Sequence, residues 1–181
     1  MTTVITISGK AEHGKDFCSK ILKTELEHLG KKVLIVHYAD YLKFIAKQYF
    51  DWDGKKDTKG RKLLQWLGTD LVRKRYPDFW VEIVSKLLIV LSPDYDFFLI
   101  PDTRFPNEIN VMKSYFNTIA IKVVRLNYEN KLTPEQRNHP SETSLSGYSF
   151  DCVIEAESGI EKATLAVKDF IKKCHPLRYE L

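Results

Sequence analysis

Val4, Ile5, Thr6 and Ile7 form a short apolar run, followed by a loop with glycines at Gly9 and Gly14 and a helix-forming stretch from Lys15. A run of this kind reads as a strand buried on both faces. The residues Gly9, Lys10, Ala11, Glu12, His13, Gly14 and Lys15 have the spacing G-x-x-x-x-G-K. In that loop main-chain N–H groups wrap a phosphate and the lysine reaches its outer oxygens. Both glycines are expected to let the backbone approach an anion, and the helix opening at Lys15 adds unpaired N–H groups and its positive dipole end. Asp16 stands where this loop usually carries a hydroxyl for Mg²⁺. A carboxylate oxygen also suits Mg²⁺, the alternative being a plain first-turn helix charge.

The rest of the chain reads as further strand and helix units. Phe17, Ile21, Leu22, Leu26 and Leu29 recur at helical spacing, and Gly30 is placed to end that helix. Val33 to Val36, Phe97 to Ile100, Ile119 to Val124 and Cys152 to Ile154 read as four more strands. Residues 41–50, 60–75 and a stretch opening at Asp78 read as helices, with an exposed loop from Asp51 to Asp57. Three helices between strands exceed a simple crossover, so residues 40–91 are either a substrate-binding subregion or a larger helical layer. Ser158 and Glu161 have the spacing of a capping box for a last helix.

The chain has 181 residues, 44% of them apolar, which fits one domain with a real core. Its net charge of +4 suits anionic small molecules as well as nucleic acid and chooses neither. Cys18, Cys152 and Cys174 form no C-x-x-C pair, so neither a disulfide framework nor a zinc site is expected, and a reduced compartment is. The longest apolar runs, such as Leu87 to Leu91, are too short to span a bilayer. The expectation is a soluble protein of the cytoplasm, the host's if the source is viral.

A strand ending at Asp102 has the character of the acid that organises Mg²⁺ opposite a phosphate loop, although capping explains many such residues. Arg61, Arg104, Arg125 and Arg137 fall near element ends or in polar segments and are candidates to meet phosphoryl oxygens. Arg73 and Arg75 read as a solvated helix end. His13 is expected to point outward. Residues 127–147 are polar and read as a lid carrying Arg137, His139 and Glu142, or as a static surface loop.

With these pieces placed, the chain resembles the deoxynucleoside monophosphate kinases of bacteriophage type, within the adenylate-kinase-like P-loop fold. The resemblance rests on Gly9 to Asp16, Ala39 to Lys43, Leu64 to Thr69, Asp102 to Glu108 and His139 to Glu142. Family members more often have proline at Tyr41 and valine at Thr103. The implied fold is a P-loop NTPase α/β/α sandwich, one domain over residues 1–181, with a five-stranded parallel sheet in the order 2-3-1-4-5. The implied reaction moves the γ-phosphoryl of ATP to a deoxynucleoside monophosphate with Mg²⁺. It implies that residues from Gly9 to Phe17 bind ATP, that Lys15, Arg104 and Arg137 are catalytic, and that Asp16 and Asp102 hold the metal. Asp40, Lys43, Arg61, Gln65, Arg104 and Glu142 would bind the acceptor, with Arg125, Arg137 and His139 in the hinge and lid. Nucleotides are the expected partners, with a homodimer open and neither nucleic acid nor membrane expected. Similarity of Gly14 to Phe17 to animal-type phosphomevalonate kinase, a weaker likeness to dephospho-coenzyme A kinase, and a non-catalytic nucleotide-binding regulator remain as alternatives.

Overall fold

The computed structural model describes residues 2–174. Five strands, β1 (Thr3–Ser8), β2 (Val33–Ile35), β3 (Phe97–Ile100), β4 (Asn117–Arg125) and β5 (Cys152–Ala156), form one sheet. The order is β2-β3-β1-β4-β5 and every pairing is parallel, as expected. The reason is legible in the period-2 alternation of the central strands. Ile5, Ile7, Phe97, Leu99, Ile121 and Val123 face one layer, where α1 (Lys15–His28) and α8 (Ile160–Lys173) contribute Leu22, Leu26, Val167 and Phe170. Val4, Phe98 and Ile100 face the other, against Val84 and Leu88 of α4 (Phe79–Leu91) and Met112 of α5 (Pro106–Tyr115).

A smaller cluster around Ala46, Trp52 and Leu67 holds the helical insertion together. It contains α2 (Ala39–Tyr49), α3 (Thr58–Gln65) and a π-helical stretch from Trp66 to Arg73. The sequence reads residues 60–75 as one helix, whereas α3 starts at Thr58, capped by the Asp57 side chain on the Gly60 N–H, and then widens. The wider turns change which face each later side chain presents. Arg73 is consequently turned inward and is not a solvated helix end; its side chain is 11% exposed.

Two further expectations are corrected. The Ser158 capping box does not form: Gly159 is the N-cap of α8, and the Ser158 hydroxyl accepts from Arg125 Nε at 3.0 Å. Cys152 and Cys174 are joined by a disulfide, with Cα atoms 6.3 Å apart. Helix α8 runs back along β5 and brings its end to the strand's start, a proximity that the spacing of 22 residues does not reveal. Residues 127–147 contain α6 (Pro134–Asn138), with a Thr133–Gln136 capping box, and α7 (Pro140–Thr143). Among the described residues no helix is long and apolar enough to cross a membrane.

Candidate active site

The carboxyl ends of β1, β3 and β4 meet at the loop from Gly9 to Gly14, the edge where ligands bind in open parallel sheets. Gly9 has φ +152°, and a Cβ there would lie 2.4 Å from the Val123 carbonyl oxygen of β4. Its requirement is therefore close packing against the sheet. Gly14 has φ +82° with open space around it, so the left-handed conformation is what favours glycine there.

Lys15 is folded back over the loop, its Nζ donating to the Gly9 and Lys10 carbonyl oxygens at 2.9 Å each. Burial, aided by the nearby Arg104 charge, pushes its ammonium down to about 7, with Glu142, Asp16 and Asp102 opposing. Glu142 of α7 reaches into this site. Its Oε2 accepts the Ala11 N–H at 3.0 Å and its Oε1 accepts from Arg104 Nη1 at 2.7 Å. A carboxylate thus occupies a main-chain donor of the loop, and the 140–143 helix is tied to it.

Asp102 follows β3, and burial pushes its carboxyl upward against two main-chain hydrogen bonds. Those bonds run from the Tyr38 and Ala39 N–H groups at 3.0 and 2.9 Å, so Asp102 caps the start of α2 across the sheet. Each oxygen retains a second lone pair. Asp16, exposed at the start of α1, has Oδ1 3.2 Å from His37 Nε2. That contact holds the Asp16 carboxyl below its usual range and raises His37. Both acids are hard oxygen donors beside Lys15, a donor set that fits Mg²⁺. His37 continues to Asp40 Oδ2 at 3.4 Å, and Asp40 Oδ1 accepts from Lys43 Nζ at 2.8 Å.

Lys15 therefore gathers Asp16, Arg104, Glu142 and Asp102 around it, with Asp40 and Lys43 linked through His37. Other candidates point elsewhere. Arg61 donates to the Lys56 carbonyl and lies 3.9 Å from Glu12 Oε1. Gln65, half-buried, ends α3. Arg137 is engaged within its own segment, with Glu129 Oε1 and the Asn130 and Leu132 carbonyls as acceptors at 2.9 to 3.1 Å. His139 caps α7, Nδ1 accepting the Ser141 N–H. Its Nε2 is 3.9 Å from Asp70.

Lys10 is exposed and Ala11 buried beside the lysine, while Phe17 lines a cavity of about 260 Å³ with His13, Gly14, Arg125, Ser158 and Ile160. His13 does not point outward: its Nδ1 accepts the Arg125 N–H at 3.0 Å. The Arg125 guanidinium stacks 3.8 Å from the centre of the Tyr128 ring. Glu12, with φ +65°, accepts from Tyr128 Oη at 2.8 Å and the Lys131 N–H at 3.2 Å, joining the loop to the segment that follows β4.

Residues that the sequence did not single out for the site are Tyr128, Arg73 and Glu108. Glu108 had a usable signal, because Pro106 opens a helix and places a glutamate at its third position, where capping boxes carry one. Nothing comparable marked Arg73.

A profile described as deoxynucleotide monophosphate kinase matches residues 30–167, beginning after the phosphate loop. The chain is 29% identical over 114 residues to the deoxynucleotide monophosphate kinase of Enterobacteria phage T4, across 62% of this chain and 45% of that protein. It thus spans less than half the length of the curated relative it matches. Among solved structures, a sugar kinase from a Janibacter species superposes with TM-score 0.55 at 9% identity, over 97% of this chain and 96% of that one. An APS kinase of Mycobacterium tuberculosis does so with TM-score 0.52 at 9% identity, over 95% and 98%. At such identities the likeness is of fold, and the fold is the P-loop NTPase α/β type. With most of its length matched by the profile, the chain belongs to the deoxynucleotide monophosphate kinase family.

Proposed function

We propose that the protein transfers the γ-phosphoryl group of ATP to the phosphate of a deoxynucleoside monophosphate, giving the diphosphate and ADP. The observation that carries this reading is the convergence of Lys15, Arg104 and Glu142 on the loop from Gly9 to Gly14, in a chain of this family. The cavity of about 260 Å³ between that loop and the turn before α8 has volume enough for a nucleobase, with Phe17, Ile160 and Arg125 among its lining residues. The donor base sits there, and its phosphates run along the loop to Lys15.

Phosphoryl transfer spreads negative charge over the equatorial oxygens while the bond to ADP lengthens and an acceptor oxygen approaches in line. Lys15 turns from the Gly9 and Lys10 carbonyls to those oxygens, and Arg104 meets them from the β3 side. The acceptor phosphate is already an anion, so the reaction calls for positioning and charge more than for a general base. Asp16 and Asp102 would hold Mg²⁺, which supplies charge neutralisation on the donor phosphates. Asp40, Lys43, Arg61 and Gln65, on or beside the helical insertion, orient the acceptor.

Residues 127–147 act as a lid. Two carboxylates pin it to the phosphate loop, Glu12 at Tyr128 and Lys131 and Glu142 at Ala11. An entering anion competes for the donors that Glu142 takes, so substrate binding and lid position are linked. Arg137 reaches the phosphates on leaving Glu129, Asn130 and Leu132. The test is a panel of deoxynucleoside and ribonucleoside monophosphates, with phosphomevalonate and dephospho-coenzyme A as controls, incubated with ATP and Mg²⁺. A deoxynucleoside diphosphate as product is expected. Product from phosphomevalonate or dephospho-coenzyme A alone, or nucleotide binding without transfer, overturns the reading.

A further inference from the structure

Behind Arg104 lies a buried ion pair that capping alone does not explain. Glu108 Oε2 accepts the main-chain N–H groups of Arg104 at 2.6 Å and of Phe105 at 3.0 Å. Its Oε1 accepts from Arg73 Nη2 at 2.5 Å, and the two side chains are only 3% and 11% exposed. Capping of α5 needs the carboxylate and the chain's own N–H groups; it needs no arginine. Arg73 nevertheless arrives from the end of the π-helical stretch in the insertion. It also donates through Nη1 to the Pro77 carbonyl and Asn107 Oδ1, and its guanidinium lies 3.9 Å from the centre of the Phe105 ring. Asn107 in turn donates to the Pro77 carbonyl and to Asp78 Oδ1 at the start of α4. The segment from Arg104 to Glu108 is thus held on its main chain by its own Glu108, while Arg73 of the insertion holds the Glu108 carboxylate, the Phe105 ring face and the Asn107 amide.

A buried ion pair is weak support for stability, since removing two charges from water costs about what their attraction returns. Fixed geometry is its better-attested use. Here the geometry fixed is that of the residue whose guanidinium meets Glu142 at the mouth of the phosphate loop. From this arrangement we infer that Arg73 and Glu108 are a positioning pair for Arg104, setting where its guanidinium stands over the transferred phosphoryl group and tying that placement to the acceptor-side helices. The inference rests on the role given to Arg104 under the proposed function. On this inference Arg73 and Glu108 act through Arg104, and the contacts they make are with Pro77, Phe105, Asn107 and the Arg104 main chain.

The test is a double-mutant cycle read in kcat and in KM for each substrate. Arg73→Lys keeps the charge but loses the forked contacts and the stack on Phe105. Because small misplacements of a charge clamp are costly, Arg73→Lys is expected to lower kcat about tenfold with KM for ATP unchanged. In an Arg104→Ala background the same change is expected to cost less than about twofold, since the group it positions is gone. Glu108→Gln, which keeps an oxygen for the two N–H groups, is expected to retain more kcat than Glu108→Ala at matched folded fraction. Equal losses from Arg73→Lys in both backgrounds overturn the inference, as do kcat losses that simply follow melting temperature. Normal turnover of Arg104→Ala is a separate result, which overturns the role assigned to Arg104 itself.

Discussion

Lys15 makes the proposed site measurable through protons. Its ammonium is buried against the Gly9 and Lys10 carbonyls, and burial brings it from an ordinary value of 10.5 to about 7. A bound phosphate supplies the counter-charge and restores the lysine toward its ordinary range. Binding then takes up a proton in the window between about pH 7 and about pH 10.5. Between about pH 7 and about pH 9 the protonated fraction of the free site falls about fiftyfold, which weakens ATP binding by about 2.3 kcal/mol. Titration calorimetry in buffers of different ionisation enthalpy reads both the slope and the proton count. Lys15→Met, which leaves the ligand's own titration in place, is expected to lose the excess slope and the proton uptake. The sign for folding follows from the same values. The folded value lies below the unfolded one, so the unfolded chain holds the extra proton between about pH 7 and about pH 10.5, and stability rises across that window. Below it the buried charge costs on the order of 5 kcal/mol, so ligand-free Lys15→Met is expected to melt higher than wild type at neutral pH. A wild-type affinity that is flat from pH 7 to 9 after subtraction of the variant, with no proton uptake, refutes the reasoning.

Asp102→Asn leaves one of the Tyr38 and Ala39 N–H groups facing an amide NH₂, so a stability loss of about 1 to 3 kcal/mol is expected, and an unchanged denaturation midpoint contradicts it. Asp16→Ala is expected to raise the Mg²⁺ concentration needed for half-maximal turnover, with Asp16→Ser restoring part of it; identical Mg²⁺ titrations for both leave Asp16 as a helix-end charge. Arg137→Ala is expected to reduce turnover more than nucleotide affinity, and a two-substrate analogue to slow protease cleavage within residues 127–147. Cleavage that is indifferent to the analogue, with normal turnover of the variant, leaves the segment as a passive connection.

The sheet was readable because its constraints are local and repeated. Alternating apolar residues in β1 and β3 fill both layers, and helices between successive strands enforce parallel order. The turn from Gly9 to Gly14 was readable because an apolar run precedes it, a helical spacing follows it and its two glycines suit the positive φ they adopt. What stayed hidden depends on phase or on distance in the chain. A period of 3.6 carried through residues 60–75 puts Arg73 outside, and only the π-helical widening turns it toward Glu108. The Cys152–Cys174 disulfide needs the antiparallel return of α8 along β5. Ser158 has the spacing of a cap, yet the arginine that ends β4 takes its hydroxyl. Asp102 was placed at its strand end, but its capping of α2 requires β2 and β3 to be neighbours, which no single segment states. The link of the Glu142 carboxylate to the Ala11 N–H joins residues 131 positions apart, and no local pattern announces it.

The central claim concerns where a phosphoryl group goes. With ATP labelled in its γ-phosphate, Mg²⁺ and a deoxynucleoside monophosphate, ³¹P or radiolabel analysis follows the label directly. The account predicts that it appears in the β-position of a deoxynucleoside diphosphate, one for each ADP formed, and that Lys15→Met abolishes this while leaving the fold intact. Label that stays in ATP or emerges only as inorganic phosphate contradicts it.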